Sequence, residues 1–112
     1  MKIYHNPRCR KSRETLELLQ EKGIEPEIIL YLANPPDKKE LKDVLSKLGI
    51  KPELLIRKGE PIFKEYFKGK KLTDEQWIDA MVTYPKLIER PIVIQGDKAV
   101  IGRPPVNVLQ LI

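Results

Sequence analysis

The stretch that decides the fold is Lys2–Leu30, which reads KIYHNPRCRKSRETLELLQEKGIEPEIIL. Lys2–His5 predicts a short strand. The leucines of Cys9–Lys22 recur with the helical period, and they predict a helix that Gly23 ends. Glu27–Leu30 is short and largely apolar, which is typical of a buried parallel strand. We therefore predict a β-α-β unit, and its crossover should be right-handed.

The middle of the chain carries helical patterns. The apolar residues of Asp37–Leu48 follow the spacing of an amphipathic helix, which Gly49 ends. Thr73 and Gln76 have the spacing of a capping box, the hydrogen-bond pair that starts a helix. The predicted helical segments are Asp37–Leu48, short pieces at Glu53–Leu55 and Ile62–Phe67 within an irregular region, and a helix from Thr73 to about Tyr84.

The last part of the chain predicts a hairpin followed by a helix. Ile92–Gln95 and Ala99–Ile101 are apolar runs on either side of a Gly-Asp turn signal. Pro104-Pro105 can open a final helix, because proline is tolerated in a first turn. The order of elements is therefore β-α-β, then helices, then β-β-α.

This order predicts an α/β fold in which the two halves form one mixed sheet covered by helices. It resembles the thioredoxin-like fold, with a helical insert between the halves. We predict a single domain over residues 1–112, with the insert at about 37–88. Pro91 would open the first hairpin strand, a position open to proline. In the thioredoxin-like fold a cis-proline occupies that position and faces the active-site loop.

Composition narrows the function classes. The chain has 112 residues, a net charge of +5 and one cysteine, so it forms no internal disulfide. No apolar run reaches the ~20 residues that span a bilayer, and no secretory signal is visible, so we expect a cytoplasmic protein without a membrane role. The lysines are interspersed with glutamates, which does not indicate nucleic-acid binding. We expect a monomer.

The stretch YHNPRCRKSR, Tyr4–Arg13, surrounds the single cysteine, Cys9, with four cations: Arg8, Arg10, Lys11 and Arg13. Positive charge at the start of a helix has the wrong sign for the helix dipole. A helix N-terminus and nearby cations both stabilise a thiolate, which is the nucleophilic form of cysteine. We therefore predict that Cys9 is a functional nucleophile, although a lone cysteine is more often a small buried apolar residue.

Ser12 stands where a dithiol redox site would have its second cysteine. The protein cannot resolve its own mixed disulfide, so any redox cycle must use thiols from outside. His5, the only histidine, ends the strand that leads to Cys9, and a nearby imidazolium would stabilise the thiolate. One histidine and one cysteine do not make a closed zinc site, so we predict no metal and no bound cofactor.

Arg57, Arg90 and Arg103 stand out by their context later in the chain. Each could be an ordinary surface arginine. In a thioredoxin-like fold, however, the segment before the first hairpin strand faces the Cys9 loop. An oxyanion bound there would favour guanidinium groups, whose paired donors match its oxygens.

Five segments carry a resemblance to one family over essentially the whole chain. The chain resembles the glutaredoxin-dependent arsenate reductases, which have a thioredoxin-like fold with a helical insert and act in arsenic detoxification. The segments are YHNPRCRKSR, IILYLANPP, LLIRKGEP, LIERPIV and IGRPP.

The resemblance implies a mechanism. Cys9 would attack arsenate, Arg57, Arg90 and Arg103 would hold the oxyanion, and His5 would lower the pKa of the cysteine. Ser12 and Arg13 would complete the family's Cys-x-x-Ser-Arg pattern. Glutathione would then attack the adduct as co-substrate, and glutaredoxin would reduce the mixed disulfide.

Two alternatives stay open at this point. The wider superfamily contains a transcription regulator that binds RNA polymerase, although that type has Cys-x-x-Cys where Cys9 and Ser12 stand. The chain could also be a glutathione-dependent thiol transferase with another substrate.

Overall fold

The structure is a computed structural model and describes every residue from Met1 to Ile112. The chain divides into two compact units, residues 1–34 with 90–112 and residues 35–89. The second unit contains the whole of the insert predicted at 37–88. The description of residues 1–112 as one domain stays a prediction. None of the helices combines the length and apolar character needed to cross a membrane.

The first unit contains a four-stranded sheet in the order β2-β1-β3-β4. Strand β1 pairs in parallel with β2 and antiparallel with β3, and β3 pairs antiparallel with β4. The mixed sheet and the β-α-β and β-β-α halves are therefore confirmed. The strands are β1 Lys2–Tyr4, β2 Glu27–Ile29, β3 Ile92–Gln95 and β4 Lys98–Ile101.

Helix α1, Arg10–Glu21, connects β1 to β2, and a 3₁₀ helix, Pro105–Leu111, follows β4. The core of this unit forms where these two helices meet the sheet. Its fully buried centre is Ile3, Leu19, Val93 and Val108. Side chains from β1, β3 and both helices therefore meet in this core.

The prediction that β2 is buried is wrong. Strand β2 lies at the edge of the sheet, and Ile28 is 46% exposed. The apolar run correctly predicted a parallel strand, but an edge strand has a neighbour on only one side. The side chains of β2 are therefore less covered than those of central β1 and β3.

The second unit is helical. Its helices are α2 Lys38–Leu48, α3 Pro61–Tyr66 and α4 Asp74–Thr83, with 3₁₀ turns at Pro52–Leu55 and Pro85–Leu87. Asp37 and Thr73 cap α2 and α4, each through a complete capping box. Trp77 of α4 packs against the rings of Phe63 and Phe67. Most of the bounds predicted from sequence are correct to within two residues; the last helix is a 3₁₀ helix.

Candidate active site

Cys9 is the N-cap residue of α1 and is only 8% exposed. Its backbone N–H donates to the Asn6 carbonyl at 2.9 Å, which closes a tight turn between β1 and the helix. The Cys9 carbonyl accepts from the Arg13 N–H at 3.0 Å and starts the helical ladder. The thiol therefore lies at the positive end of the helix, as the sequence predicted.

Hydrogen bonds from α1 hold this turn in place. Ser12 Oγ accepts from the Asn6 N–H at 3.0 Å and lies 2.6 Å from His5 Nδ1. Arg13 Nη1 donates to the Pro7 carbonyl at 2.9 Å. The Ser12 hydroxyl has one proton and two lone pairs, so it can donate to His5 Nδ1 or accept from it, according to the tautomer of the imidazole. Ser12 and Arg13 thus support the cysteine turn from the helix side.

His5 is buried, with 6% exposure. Burial, with a smaller contribution from the Arg13 charge, holds its pKa below the ordinary histidine value. At neutral pH the neutral imidazole is therefore favoured. Burial therefore works against the imidazolium that the sequence suggested, and the role of His5 towards the thiol stays a prediction.

Arg103 reaches Cys9 from the end of β4. Its Nη2 donates to Cys9 Sγ at 3.4 Å, while its Nε donates to the Arg90 carbonyl at 2.7 Å. Asn107 Nδ2 donates to the Arg103 carbonyl at 3.1 Å and to the Ile101 carbonyl at 3.2 Å. Arg103, whose guanidinium contacts the thiol, is therefore held both at its backbone carbonyl and at its side chain.

The pKa of Cys9 is lowered by its surroundings. Burial is the largest single influence and raises the pKa. The effects in the other direction together outweigh it: a hydrogen bond from the Arg90 side chain, one from the Ser12 backbone N–H, and the charges of Arg90 and Arg103. A thiol with a lowered pKa is more fully ionised at neutral pH, and the ionised form is the nucleophile.

Pro91 and Gly102 bring the ends of β3 and β4 close to α1. The Arg90–Pro91 peptide bond is cis, as the fold resemblance implied, and the Gly102 N–H donates to the Pro91 carbonyl at 2.9 Å. A Cβ atom on Gly102 would lie 2.7 Å from Thr15 Oγ1 and 2.8 Å from Pro91 Cγ. Only glycine fits this contact, which sets the position of the adjacent Arg103.

Arg57 lies in the second unit, and its guanidinium is already paired there. Its Nη1 donates to Glu89 Oε1 at 3.1 Å, and its Nε lies 3.7 Å from Glu60 Oε2. Its backbone N–H donates to the Leu87 carbonyl at 2.7 Å. The structure thus brings together Cys9, Arg90 and Arg103 within one unit, and the assignment of Arg57 to the same site stays a prediction.

Comparison with known proteins identifies the family. The model of the ArsC family matches residues 4–111. The chain belongs to the ArsC family. It is 46% identical to a protein named arsenate reductase from Haemophilus influenzae, over 98% of this chain and 97% of that protein. It is also 52% identical to the uncharacterized protein YfgD of Escherichia coli, over 100% of this chain and 96% of that protein.

A solved structure supports the same assignment. The arsenate reductase from Vibrio cholerae superposes with a TM-score of 0.95 at 45% sequence identity, covering 100% of this chain and 98% of that chain. The thioredoxin-like fold with its mixed sheet, predicted from the order of elements, is thereby confirmed for this ArsC chain.

The cations adjacent to Cys9 in this ArsC chain have other roles than the sequence suggested. Arg10 Nε donates to Glu14 at 2.9 Å, and Lys11 Nζ lies 3.8 Å from the same carboxylate. Neither is among the groups that shift the pKa of the thiol. Glu14, four residues after Arg10, was the available signal, because opposite charges at this spacing pair on a helix.

Three supporting residues of the ArsC chain were not predicted: Thr15, Gly102 and Asn107. Gly102 lies in the quoted segment IGRPP but was given no role there, and Thr15 and Asn107 contact backbone carbonyls near Arg103, which no motif marks. No group of three or more His, Cys, Asp or Glu side chains is arranged to hold a metal ion. That the protein needs no metal or bound cofactor stays a prediction.

Proposed function

We propose that this protein reduces arsenate to arsenite with Cys9 as the nucleophile. Its membership of the ArsC family and its identity to proteins named arsenate reductase support an oxidoreductase role. The observation that carries the proposal is the Arg103 guanidinium 3.4 Å from a buried helix-end thiol. That arrangement stabilises a thiolate and offers donors to an incoming oxyanion at the same point.

In the first step the Cys9 thiolate attacks arsenic(V). A sulfur–arsenic bond forms, one arsenic–oxygen bond breaks, and the departing oxygen takes up protons and leaves as water. Arg90 and Arg103 hold the remaining oxygens, and Arg57 is the third arginine of this set. Guanidinium groups suit this task because they remain charged and present paired donors.

In the second step the thiolate of glutathione attacks the Cys9 sulfur of the adduct. A disulfide forms between Cys9 and glutathione, and the electron pair of the sulfur–arsenic bond stays on arsenic. Arsenic(V) becomes arsenic(III), and arsenite leaves. The electrons come from thiols, so the proposal needs no bound cofactor.

In the third step a thiol of glutaredoxin attacks the glutathione sulfur, and the Cys9 thiolate leaves. A thiol with a lowered pKa is a good leaving group in such an exchange. The chain has one cysteine, so this resolution requires an external thiol. We propose that the cycle runs in the cytoplasm, where glutathione is kept reduced, and that the protein acts as a monomer.

The test is production of arsenite from arsenate by the purified protein. We expect turnover that requires both glutathione and glutaredoxin and is abolished in Cys9→Ser. Arg103→Ala should lower kcat/KM for arsenate by about 100-fold, because it removes one or two charge-assisted hydrogen bonds to the oxyanion. Arg10→Ala is the matched control, because this exposed arginine pairs with Glu14 and should keep its activity.

Three outcomes would contradict the proposal. If the wild-type protein and Cys9→Ser made equally little arsenite, the reduction would not be its function. If the protein transferred glutathione between other disulfides with no need for Arg90 or Arg103, it would be a thiol transferase for another substrate. Recovery of RNA polymerase subunits, with no turnover, would instead favour the regulator.

A further inference from the structure

A groove lies beside the Cys9 turn within the first unit. One wall is the turn Asn6–Arg8 and the other is the segment Leu30–Ala33 that follows β2; we call this space the turn groove. Its volume is about 420 Å³, and His5 also lines it. Arg8 immediately precedes Cys9 in the chain, so Cys9 and one wall of the groove belong to the same short turn.

The wall after β2 is apolar and open to solvent. Leu30 and Leu32 are 42% and 41% exposed, although both are large apolar residues. The Leu30 carbonyl accepts from the N–H groups of Ala33 and Asn34 at 3.0 and 2.9 Å, which holds this segment in a fixed turn. An exposed apolar wall on a fixed segment is a feature that binding sites share.

The opposite wall provides a cation. Arg8 is exposed, and no acidic side chain lies within ion-pair distance of its guanidinium. The two arginines at the start of α1 differ from Arg8 because their guanidinium groups have partners: Arg10 donates to Glu14, and Arg13 donates to the Pro7 carbonyl. The groove therefore pairs an apolar wall with a guanidinium that is able to bind a carboxylate.

The single cysteine requires that a thiol reach this turn from outside. We propose that the turn groove is the binding site of glutathione, with a carboxylate of the tripeptide on Arg8 and its backbone along Leu30 and Leu32. This inference rests on the proposed function for its physiological meaning. The groove has the size of small-molecule sites, roughly 300–1,000 Å³. A protein partner would need about 800 Å² of surface on each side.

The experiment uses the reaction of Cys9 with disulfides and involves no arsenate. The Cys9 thiolate attacks glutathione disulfide, a disulfide forms between Cys9 and glutathione, and one glutathione thiolate leaves. Mass spectrometry of the intact protein measures the rate. Bis(2-hydroxyethyl) disulfide is the uncharged comparison, and 3,3′-dithiodipropionate is a small anionic comparison without a peptide backbone.

Two variants test the two walls. Arg8→Ala should lower the rate with glutathione disulfide by about tenfold, the worth of one charge-assisted hydrogen bond, and leave the uncharged disulfide within about twofold. Leu32→Ser should lower the rate with glutathione disulfide several-fold and leave the rates with both comparison disulfides unchanged. Arg10→Ala should behave like the wild type with all three. In the arsenate assay, Arg8→Ala should raise KM for glutathione and leave KM for arsenate unchanged.

Two outcomes would overturn the inference, and a third would separate it from the proposed function. In one such outcome, Arg8→Ala lowers the reaction rate equally with both anionic disulfides and Leu32→Ser lowers neither rate. Arg8 would then attract anions in general, and the groove would not bind the tripeptide. Losses confined to the glutaredoxin step would mean that the groove receives a protein. If disulfide selectivity is present but the wild type makes no arsenite, the groove stands and the proposed reduction fails.

Discussion

At the scale of single residues, the reactivity of Cys9 depends on partners distant in sequence. Arg103 is 94 positions away along the chain, and it donates to the Cys9 sulfur. The neighbouring cations Arg10 and Lys11 bind Glu14 instead. The thiolate is therefore stabilised by the ends of the hairpin strands, and the cysteine motif alone does not provide its charge environment.

The pH dependence of Cys9 alkylation tests whether Arg90 and Arg103 lower the pKa of the thiol. The rate with iodoacetamide should rise with pH around a midpoint below the ordinary cysteine pKa, because the thiolate reacts and its pKa is lowered. In Arg103→Ala and in Arg90→Ala the midpoint should move to higher pH. At neutral pH both variants should therefore react more slowly than the wild type.

Arg10→Ala provides the comparison, and its midpoint should match that of the wild type. If the midpoint moved as far in Arg10→Ala as in Arg103→Ala, the adjacent cations would be responsible for the shift. If it moved in neither, the helix end and the Ser12 N–H alone would stabilise the thiolate.

The sequence indicated the candidate nucleophile but not the surroundings of every neighbouring side chain. Cys9 at a helix start was predictable from the turn signal and the leucine pattern that follows it. The lowered pKa of His5 was not, because it comes mainly from burial, and burial depends on the packing of the whole unit. A short motif shows the order of residues and not the depth at which they lie.

At the scale of elements, the site depends on a close contact between α1 and the end of β4. Thr15 Oγ1 donates to the Lys11 carbonyl at 2.8 Å and lies 3.3 Å from the Gly102 carbonyl. The contact is possible because Gly102 has no side chain. The helix that positions Cys9 and the strand that positions Arg103 are therefore fixed relative to each other.

Gly102→Ala should disturb both stability and reactivity. Its Cβ would lie 2.7 Å from Thr15 Oγ1 and 2.8 Å from the rigid ring of Pro91, so the backbone must move. We expect a loss of about 1–3 kcal/mol in the free energy of unfolding, measured with urea. Alkylation of Cys9 at neutral pH should also slow, because Arg103 moves with its neighbour.

Gly59→Ala is the matched control, because a Cβ there would meet no atom within 4 Å. Its free energy of unfolding should stay within about 1 kcal/mol of the wild type. Equal stability of Gly102→Ala and Gly59→Ala would show that α1 and β4 are not in fixed contact.

Element type was predictable, and exposure was not. The capping box of Thr73 and Gln76 is local, so its spacing in the sequence was enough to predict it. Strand β2 was predicted to be parallel, which is correct, and buried, which is wrong. An apolar run cannot show whether a further strand lies beyond it, since that depends on the order of strands in the sheet.

At the scale of the whole molecule, the chain carries a net charge of +5. This charge should attract anionic reagents to Cys9 over distances longer than a hydrogen bond. The resemblance of five separate segments to one family also belongs to this scale. It predicted three arginines for the site, which no local pattern around Cys9 could identify; Arg90 and Arg103 lie beside Cys9, and the place of Arg57 in the site stays a prediction.

Varying the ionic strength tests whether the net positive charge attracts anionic reagents to Cys9. Iodoacetate is anionic and iodoacetamide is neutral, and both alkylate the Cys9 thiolate. The ratio of the iodoacetate rate to the iodoacetamide rate should fall several-fold between low and high salt, because the Debye length shrinks from ~30 Å at 0.01 M to ~3 Å at 1 M. Free glutathione, whose net charge is negative, should show the opposite trend. A ratio independent of salt would contradict electrostatic attraction.

The single cysteine has a practical consequence for experiments on this protein. Because the only thiol is also the proposed nucleophile, a total-thiol assay on the unfolded chain counts active sites directly. The same assay, run during storage, gives the fraction of molecules that oxidation has inactivated. Conversely, a fluorescent label cannot be attached elsewhere through cysteine chemistry without first replacing Cys9, and under the proposed function protein labelled in that way would lack its nucleophile.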